Sequence, residues 1–293
     1  MLLPNARRIL EMGPSLNTFK LLLMAAASSR PSVRDLSLLL LRPFVHKGEI
    51  AVRYNCNGKR RTVFVRMDDM LSDYYSVLEL GIYQIYKLNK AFVPDLIVDG
   101  GGNIGLFSLS ASVVYPSAKI VICEPVPRNL EQIKKHMQIN QLSPEVLPVC
   151  IGGTPKEIPF YVREANQGSF DPTKPYTSVL EVKVLTLADV LRNRDARAIL
   201  IKLDIEGMEI ETLESYVPDE HRAVCIMGEL HGHKKNSQTL ERIFHEHRWA
   251  LRFDDVTDEG SVFEAYSPAA SDLLATKVRH AKAHPLEHGD YRE

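Results

Sequence analysis

Four carboxylates close short apolar runs in this chain, and one of them stands directly before a cluster of glycines. Asp99 ends D-L-I-V-D and is followed by G-G-G-N-I-G, residues 100–105. Glu124 ends K-I-V-I-C-E, Asp204 ends A-I-L-I-K-L-D, and Glu229 ends A-V-C-I-M-G-E. A charge at the end of a buried strand loses its water and has to be matched by a partner. Acids gathered at several strand ends therefore point to a site rather than to a solvated surface.

The glycines narrow the ligand. Read from Gly100, the turn fits G-x-G-x-x-G, the fingerprint of a dinucleotide loop. Its glycines let the backbone come close, and the following helix offers unpaired N–H groups. Asp99 argues against a diphosphate there, because a nearby carboxylate repels it in a partly dry site. A cationic ligand reverses the sign. S-adenosylmethionine carries an ammonium and a sulfonium and no phosphate. Its methionine part can lie along the glycine backbone while Asp99 attracts the cation, directly or through water. Glu124, ending the next strand, is placed to accept bonds from both ribose hydroxyls. NAD would use the same acid, so Asp99 is the discriminating residue. The expected cofactor set is Asp99, Gly100, Gly101, Asn103, Gly105 and Glu124. A Walker-type phosphate loop is set aside, since its Lys-Ser/Thr pair is missing.

The elements that must position these residues follow from the hydrophobic rhythm. From Pro94 onward, short β-branched runs at 95–99, 119–124, 145–151, 198–204 and 223–229 alternate with helical stretches at 104–114, 127–141, 187–193, 207–216 and 237–247. Near-continuous apolar strands between helices predict a parallel sheet covered on both faces, with ligands at the carboxyl ends of its strands. W-A-L-R-F-D-D and S-V-F-E-A-Y predict a terminal antiparallel hairpin, and 152–183 a strand pair with a loop. Before Pro94, residues 1–45 read as short helices broken by prolines. E-I-A-V-R-Y and T-V-F-V-R-M, joined through Asn57-Gly58, read as a hairpin. Apolar spacing then predicts a helix over 73–86 with Tyr74, Val77, Leu78, Ile82, Ile85 and Tyr86 on one face.

Composition sets the outer bounds. The 293 residues suit one large domain and an appendage, and a net charge of -1 gives no sign of a nucleic-acid partner. K-R-R at 59–61 reads as a solvated turn. No segment reaches the roughly 20 apolar residues of a membrane span. Arg7, Arg8 and A-A-A at 25–27 imitate parts of a signal peptide, but Glu11, Pro14 and Lys20 disturb its apolar region. Cys56, Cys123, Cys150 and Cys225 show no C-x-x-C spacing and suit a reducing compartment, so the expected location is the cytoplasm.

Three motifs in order make the reading more specific. I-V-D-G-G-G-N-I-G resembles the V-D-x-G-A-N-x-G motif of the FkbM family of S-adenosylmethionine-dependent methyltransferases, with Asp99, Gly101, Asn103 and Gly105 matching and Gly102 in the usual alanine's place. E-P-V-P resembles the family's E-P-x-P, with Glu124 at the ribose position. I-K-L-D-I-E-G-M-E resembles I-K-x-D-V-E-G-x-E, matching Asp204, Glu206, Gly207 and Glu209. The resemblance spans about 90–267, and T-L-A-D departs from its T-L-D-D at Ala188. It implies a doubly wound Rossmann-like methyltransferase sheet of seven strands, mostly parallel and with the last strand antiparallel. It also implies O-methylation of a hydroxyl on a small molecule or sugar-containing metabolite. The expected organisation is an accessory helix–hairpin region over 1–89, the methyltransferase domain over 90–270 and a polar tail over 271–293. The accessory region is expected to cover the cofactor, shape the acceptor pocket or mediate a homodimer.

Methyl transfer needs an aligned acceptor and a group to take its proton. The expected catalytic residues are Asp204, Glu206 and His231. Asp204 could orient the methionine ammonium, serve as general base, or both in succession. Glu206 faces the site beside Gly207, and His231, in G-E-L-H-G-H, is a proton acceptor near neutrality. Glu209 reads equally as a solvated helix-start acid, and His233 as a loop residue. No spacing identifies a metal site, although Asp204, Glu206, Glu229 and His231 could bind a divalent cation instead. A nicotinamide-dependent oxidoreductase and a noncatalytic cofactor-binding protein are the alternatives.

Overall fold

A computed structural model describes residues 48–163, 168–170, 172–173 and 175–283. The expected helices of 1–45 and the residues beyond 283 lie outside them. Strands β1 (Glu49–Cys56) and β2 (Lys59–Arg66) form the first hairpin, turning at Asn57 and Gly58 with positive φ. Helix α1 (Met70–Ser76) runs into a π-helical turn, Val77–Tyr83. The predicted helix over 73–86 thus stops short, ended by Gln84 at φ 50. Within the turn, a Cβ on Gly81 would lie 2.9 Å from the Tyr54 ring, so hairpin and turn pack closely there.

The main sheet has seven strands: β3 (Leu96–Gly100), β4 (Lys119–Cys123), β5 (Glu145–Leu147), β10 (Ala198–Leu203), β11 (Ala223–His231), β12 (Ala250–Asp254) and β13 (Gly260–Tyr266). Their order is β12-β13-β11-β10-β3-β4-β5. All neighbours are parallel except at β13, the last strand, which runs antiparallel to both β11 and β12. This is the expected Rossmann-like sheet. After β3 the chain builds outward through β4 and β5, then crosses back to β10, which puts the switch point between β3 and β10. Helices α2 (Leu106–Val114), α3 (Pro127–Ile139), α4 (Leu187–Leu191), α5 (Glu209–Ser215) and α6 (His233–Glu246) connect the strands. One apolar cluster, including Val98, Ile201, Ile226, Phe244 and Trp249, lies on one side of the sheet, and Ile97, Leu200 and Cys225 join another.

The run 145–151 divides at Pro148, which has no N–H to give a ladder. Its second half becomes β6 (Cys150–Ile151) of a separate four-stranded sheet with β7 (Lys156–Val162), β8 (Gly168–Ser169) and β9 (Ser178–Leu185), ordered β6-β9-β7-β8. At the other end, α7 (Pro268–Ala283) replaces the polar tail expected from 271. Ser267 Oγ accepts the Ala270 N–H at 3.2 Å at its start, and Ala270 and Leu274 pack on the core.

The accessory hairpin is joined to the sheet domain by polar contacts that sequence patterning does not reveal. His136 on α3, fully buried, takes the Phe64 N–H on Nε2 at 2.9 Å and gives Nδ1–H to the Ile104 carbonyl at 2.7 Å. Burial lowers its pKa, in keeping with a neutral ring. Asn140 both donates to and accepts from the Thr62 backbone. Arg61, expected in a solvated turn, is buried and donates to Ser112 Oγ at 2.7 Å. The inward face of β2 leaves it no route to water.

Candidate active site

Strand register sets the first part of the site. Asp99 is paired with Lys202 across β3 and β10, and with Ile122 on the other side. The turn then folds over the sheet end: the N–H groups of Gly101 and Gly102 both donate to the Cys123 carbonyl at 3.0 Å. Gly101 has φ +72, and a Cβ there would lie 1.9 Å from the Asp204 carbonyl oxygen. No other residue fits that approach. Gly102, in the family's alanine position, has its own reason, since a Cβ would meet Ile122 Cγ2 at 2.3 Å.

Asp99 is fully buried and already partnered. Ser108 Oγ donates to its Oδ2 at 2.7 Å, and the Lys202 ammonium faces Oδ1 at 3.4 Å. Oδ1 has no hydrogen bond among the described residues, which leaves a buried acceptor at the base of the turn. Lys202 also donates to the carbonyls of Gly100, at 3.1 Å, and Gly101, at 2.6 Å, and lies 3.8 Å from Asp204 Oδ2. Burial disfavours its charge, but Asp99 and then Asp204 outweigh this and raise its pKa. The sequence displays Lys202 inside I-K-L-D, yet a lysine in an apolar strand gives no signal of its role until β3 is laid beside β10.

Glu124 sits on the far side of the turn, just past β4. It is buried, accepts Asn103 N–H at 2.8 Å and Val126 N–H at 2.9 Å, and takes a longer bond from Asn129. Burial pushes its pKa up to about 7 against these bonds. Asn103 holds φ 48, and its side chain donates to Ser76 Oγ of α1 at 3.3 Å, tying the accessory region to the glycine turn.

The remaining acids gather beyond β10 and β11. Asp204 keeps 28% of its side chain exposed and accepts from Tyr86 OH at 3.4 Å. Glu206 has φ 57 and Gly207 φ 103, so two left-handed residues in succession turn the chain into α5. Glu209, 1% exposed, closes that turn: its Oε1 accepts the N–H groups of Ile205 and Gly207 and lies 3.0 Å from His231 Nδ1. It is a buried anchor, not a solvated helix-start acid. His231 Nε2 faces Glu206 Oε2 at 3.6 Å. Burial disfavours the imidazolium, but Glu209, with Glu229 and Asp204 behind it, pushes the His231 pKa up to about 10. Burial likewise lifts Glu206 to about 7, with His231 opposing.

Thus Asp204, Glu206 and His231 come together, Asp99 and the glycines lie beside them through Lys202, and Glu124 stands apart across the turn. Asp204, Glu229 and His231 each bring one ligating atom within 4.8 Å of the others. His233 is no free loop residue. It opens α6, lies 2.8 Å from Ser261 Oγ and meets the Phe253 ring edge to face.

A Rossmann-like sheet of this order, with a glycine turn and acids at its switch point, defines the class of S-adenosylmethionine-dependent methyltransferases. The chain belongs to the FkbM methyltransferases: the Methyltransferase FkbM domain matches residues 99–256. It is 29% identical over 168 residues to "Methyltransferase 1" of Beauveria bassiana (strain ARSEF 2860), covering 49% of this chain and 66% of that protein, just under two thirds of its length. It is also 29% identical over 196 residues to "Methyltransferase sdnD" of Sordaria araneosa, covering 52% and 75%. Among solved structures, the methyltransferase FkbM from Methylobacillus flagellatus KT matches at 14% identity and a TM-score of 0.42, over 68% of this chain and 52% of that one. No helix among the described residues is long and apolar enough to cross a membrane.

Proposed function

We propose that this methyltransferase acts on a hydroxyl of a small molecule or glycoside, with Glu206 taking the hydroxyl proton. The observation that carries this reading is the Glu206–His231–Glu209 arrangement beside Asp204. Bound S-adenosylmethionine supplies an electrophilic methyl group on a sulfonium. The backbone from Gly100 to Gly105 and Glu124 would hold that cofactor, with Glu124 accepting from the ribose, while buried Asp99 would act on it through Lys202. Asp99 is already neutralised by Lys202, so the carboxylate left to meet the ammonium is Asp204.

His231 takes a different part from the one its type first implies. With its pKa pushed up to about 10, it is an imidazolium at neutral pH and cannot accept a proton. Glu209 fixes the ring through Nδ1, and Nε2–H points toward Glu206. Glu206, lifted to about 7, is matched to general-base work at neutral pH. With the cofactor bound, the acceptor oxygen would form its bond to the methyl carbon as the methyl–sulfur bond breaks and leaves neutral S-adenosylhomocysteine, and the acceptor's proton would pass to the Glu206 carboxylate. The four cysteines are free and buried, in keeping with a reducing cytoplasm.

A second reading rests on the Asp204, Glu229 and His231 atoms within 4.8 Å of one another, which could hold a divalent cation that activates the acceptor. One experiment separates the two. The kcat/KM of methyl transfer is followed against pH in chelator-treated enzyme, for the natural chain and for Glu206→Gln. The first reading expects a rate that rises through about pH 7. In Glu206→Gln it expects that inflection gone and the rate down about 10²- to 10⁴-fold, with S-adenosylhomocysteine binding kept. Full turnover in Glu206→Gln would sink it. Loss of activity on chelation, restored by Mg²⁺, would favour the metal.

A further inference from the structure

Both oxygens of Glu124 are held by lines of hydrogen bonds that start on one short helix of the accessory region. Asp73 and Ser76 stand three residues apart on α1, on the same face of the helix. From Asp73 the line runs through Arg66, at the end of β2. Asp73 accepts the Arg66 backbone N–H, Nε and Nη2 at 2.9, 2.9 and 2.6 Å, and Arg66 Nη1 donates to Asn129 Oδ1 at 3.1 Å. Arginine has only donors, so the Asn129 carbonyl faces it and the amide faces Glu124. That amide donates to Glu124 Oε1 at 3.3 Å. From Ser76 a second line runs through Asn103, whose side chain donates to Ser76 Oγ and whose backbone N–H donates to Glu124 Oε2 at 2.8 Å. Arg66, Asp73, Ser76, Glu124 and Asn129 are all buried, so water does not compete for these bonds.

We propose that α1 and the β1–β2 hairpin aim the ribose carboxylate, which makes Arg66, Asn129 and Ser76 positioning residues for the cofactor's ribose. The proposal rests on Glu124 being the ribose acceptor, as read above. Burial works against the Glu124 charge, and the N–H groups of Val126, Asn103 and Asn129 favour it. Among the described residues, Oε1 accepts from Val126 and Asn129, and Oε2 from Asn103 alone. Oε2 is therefore the oxygen left for a hydroxyl, and the two asparagines fix the direction in which it points. Arg66, Asp73 and Ser76 all precede residue 99, where the family match begins. A segment outside the matched domain thus completes its cofactor site.

The test separates the ribose from the rest of the cofactor. The full chain is titrated calorimetrically with S-adenosylhomocysteine and with its analogue lacking both ribose hydroxyls. The natural chain is expected to bind the first about 10- to 100-fold tighter, as befits hydrogen bonds to a charged group. Asn129→Leu is expected to cut that preference about tenfold and Ser76→Ala about threefold, with the analogue bound as before. Ser76→Ala removes one hydroxyl and no charge, so it decides the matter alone if Asn129→Leu does not fold. Equal weakening of both ligands would mean a purely structural role and would overturn the proposal, as would a preference unchanged in every folded variant. Glu124→Ala scores the underlying reading separately. A preference that survives there removes Glu124 from the ribose and the proposal with it. One lost there and kept in the other two variants overturns only the positioning by α1.

Discussion

Replacing Glu206 with glycine is expected to stabilise the protein while removing its activity. Glu206 holds φ 57, a left-handed conformation that costs a residue with a Cβ about 1–2 kcal/mol. Glycine adopts it freely but returns roughly 0.5–1 kcal/mol through its more flexible unfolded chain. The carboxylate itself is poorly solvated, as its pKa of about 7 records, although at 35% exposure water screens much of that penalty. The substitution removes the pairing with His231 Nε2, which at 3.6 Å is beyond hydrogen-bond reach, and Glu209 still holds the ring at 3.0 Å. The net gain is about 1 kcal/mol at neutral pH, or roughly 2–4 °C in Tm for a protein of this size. Its pH dependence identifies the cause. A carboxyl whose folded pKa is raised from 4.5 to about 7 contributes stability that is present below pH 4.5 and lost as pH rises through about 7. The variant's advantage should therefore be smallest below pH 4.5 and largest above 7. Thermal unfolding across that range, with methyl transfer measured in parallel, checks both halves. A variant less stable than the natural chain at every pH would refute the strain argument, and one that keeps full turnover would refute the base assignment.

Two further substitutions test the frame around the site. Lys202→Met strands Asp99 in the core without its cation and is expected to cost about 3–5 kcal/mol in urea unfolding. Adding Asp99→Asn should recover a large part of it, and a cost under about 1 kcal/mol would mean the pair is not holding the turn. Gly102→Ala restores the family's usual residue yet pushes a methyl group against Ile122 Cγ2, so it should destabilise by about 1–3 kcal/mol. Ile122→Ala in the same chain should make the loss smaller than the sum of the single changes, and strict additivity would count against the clash.

Much of this was legible because strand-end acids and apolar runs carry their own physics. The five parallel strands, the terminal hairpin and the grouping of Asp204, Glu206 and His231 all follow from where β-branched runs stop. What stayed hidden depends on distance across the fold. Lys202 reads as an oddity in a strand until register sets it against Asp99. Glu209 and Tyr86 reach the site from a helix start and from the accessory region, and no spacing along the chain announces either contact. His136 and Asn140 look like the polar face of a surface helix, and only the hairpin folding onto them shows their purpose. Pro148 was visible, but its splitting of one strand between two sheets is a tertiary outcome.

The charge pattern also changes what Asp99 does. Two triplets stand at the sheet end, each a cation between two acids: Asp99–Lys202–Asp204 at 3.4 and 3.8 Å, and Glu206–His231–Glu209 at 3.6 and 3.0 Å. In each, the deeper acid is fixed, Asp99 by Ser108 and Glu209 by backbone N–H groups, and the outer acid retains solvent exposure. With all members ionised, each triplet carries one net negative charge, and it resides on the outer member. On the proposed reading, the acid that stands before the glycines does not meet the cationic ligand alone. It fixes Lys202, which ties down the glycine carbonyls, and passes the surplus charge to Asp204. When Glu206 takes the acceptor's proton, the second triplet becomes neutral, which suits a reaction in which positive charge leaves the ligand. A glycine turn built to hold a diphosphate would have no use for either surplus.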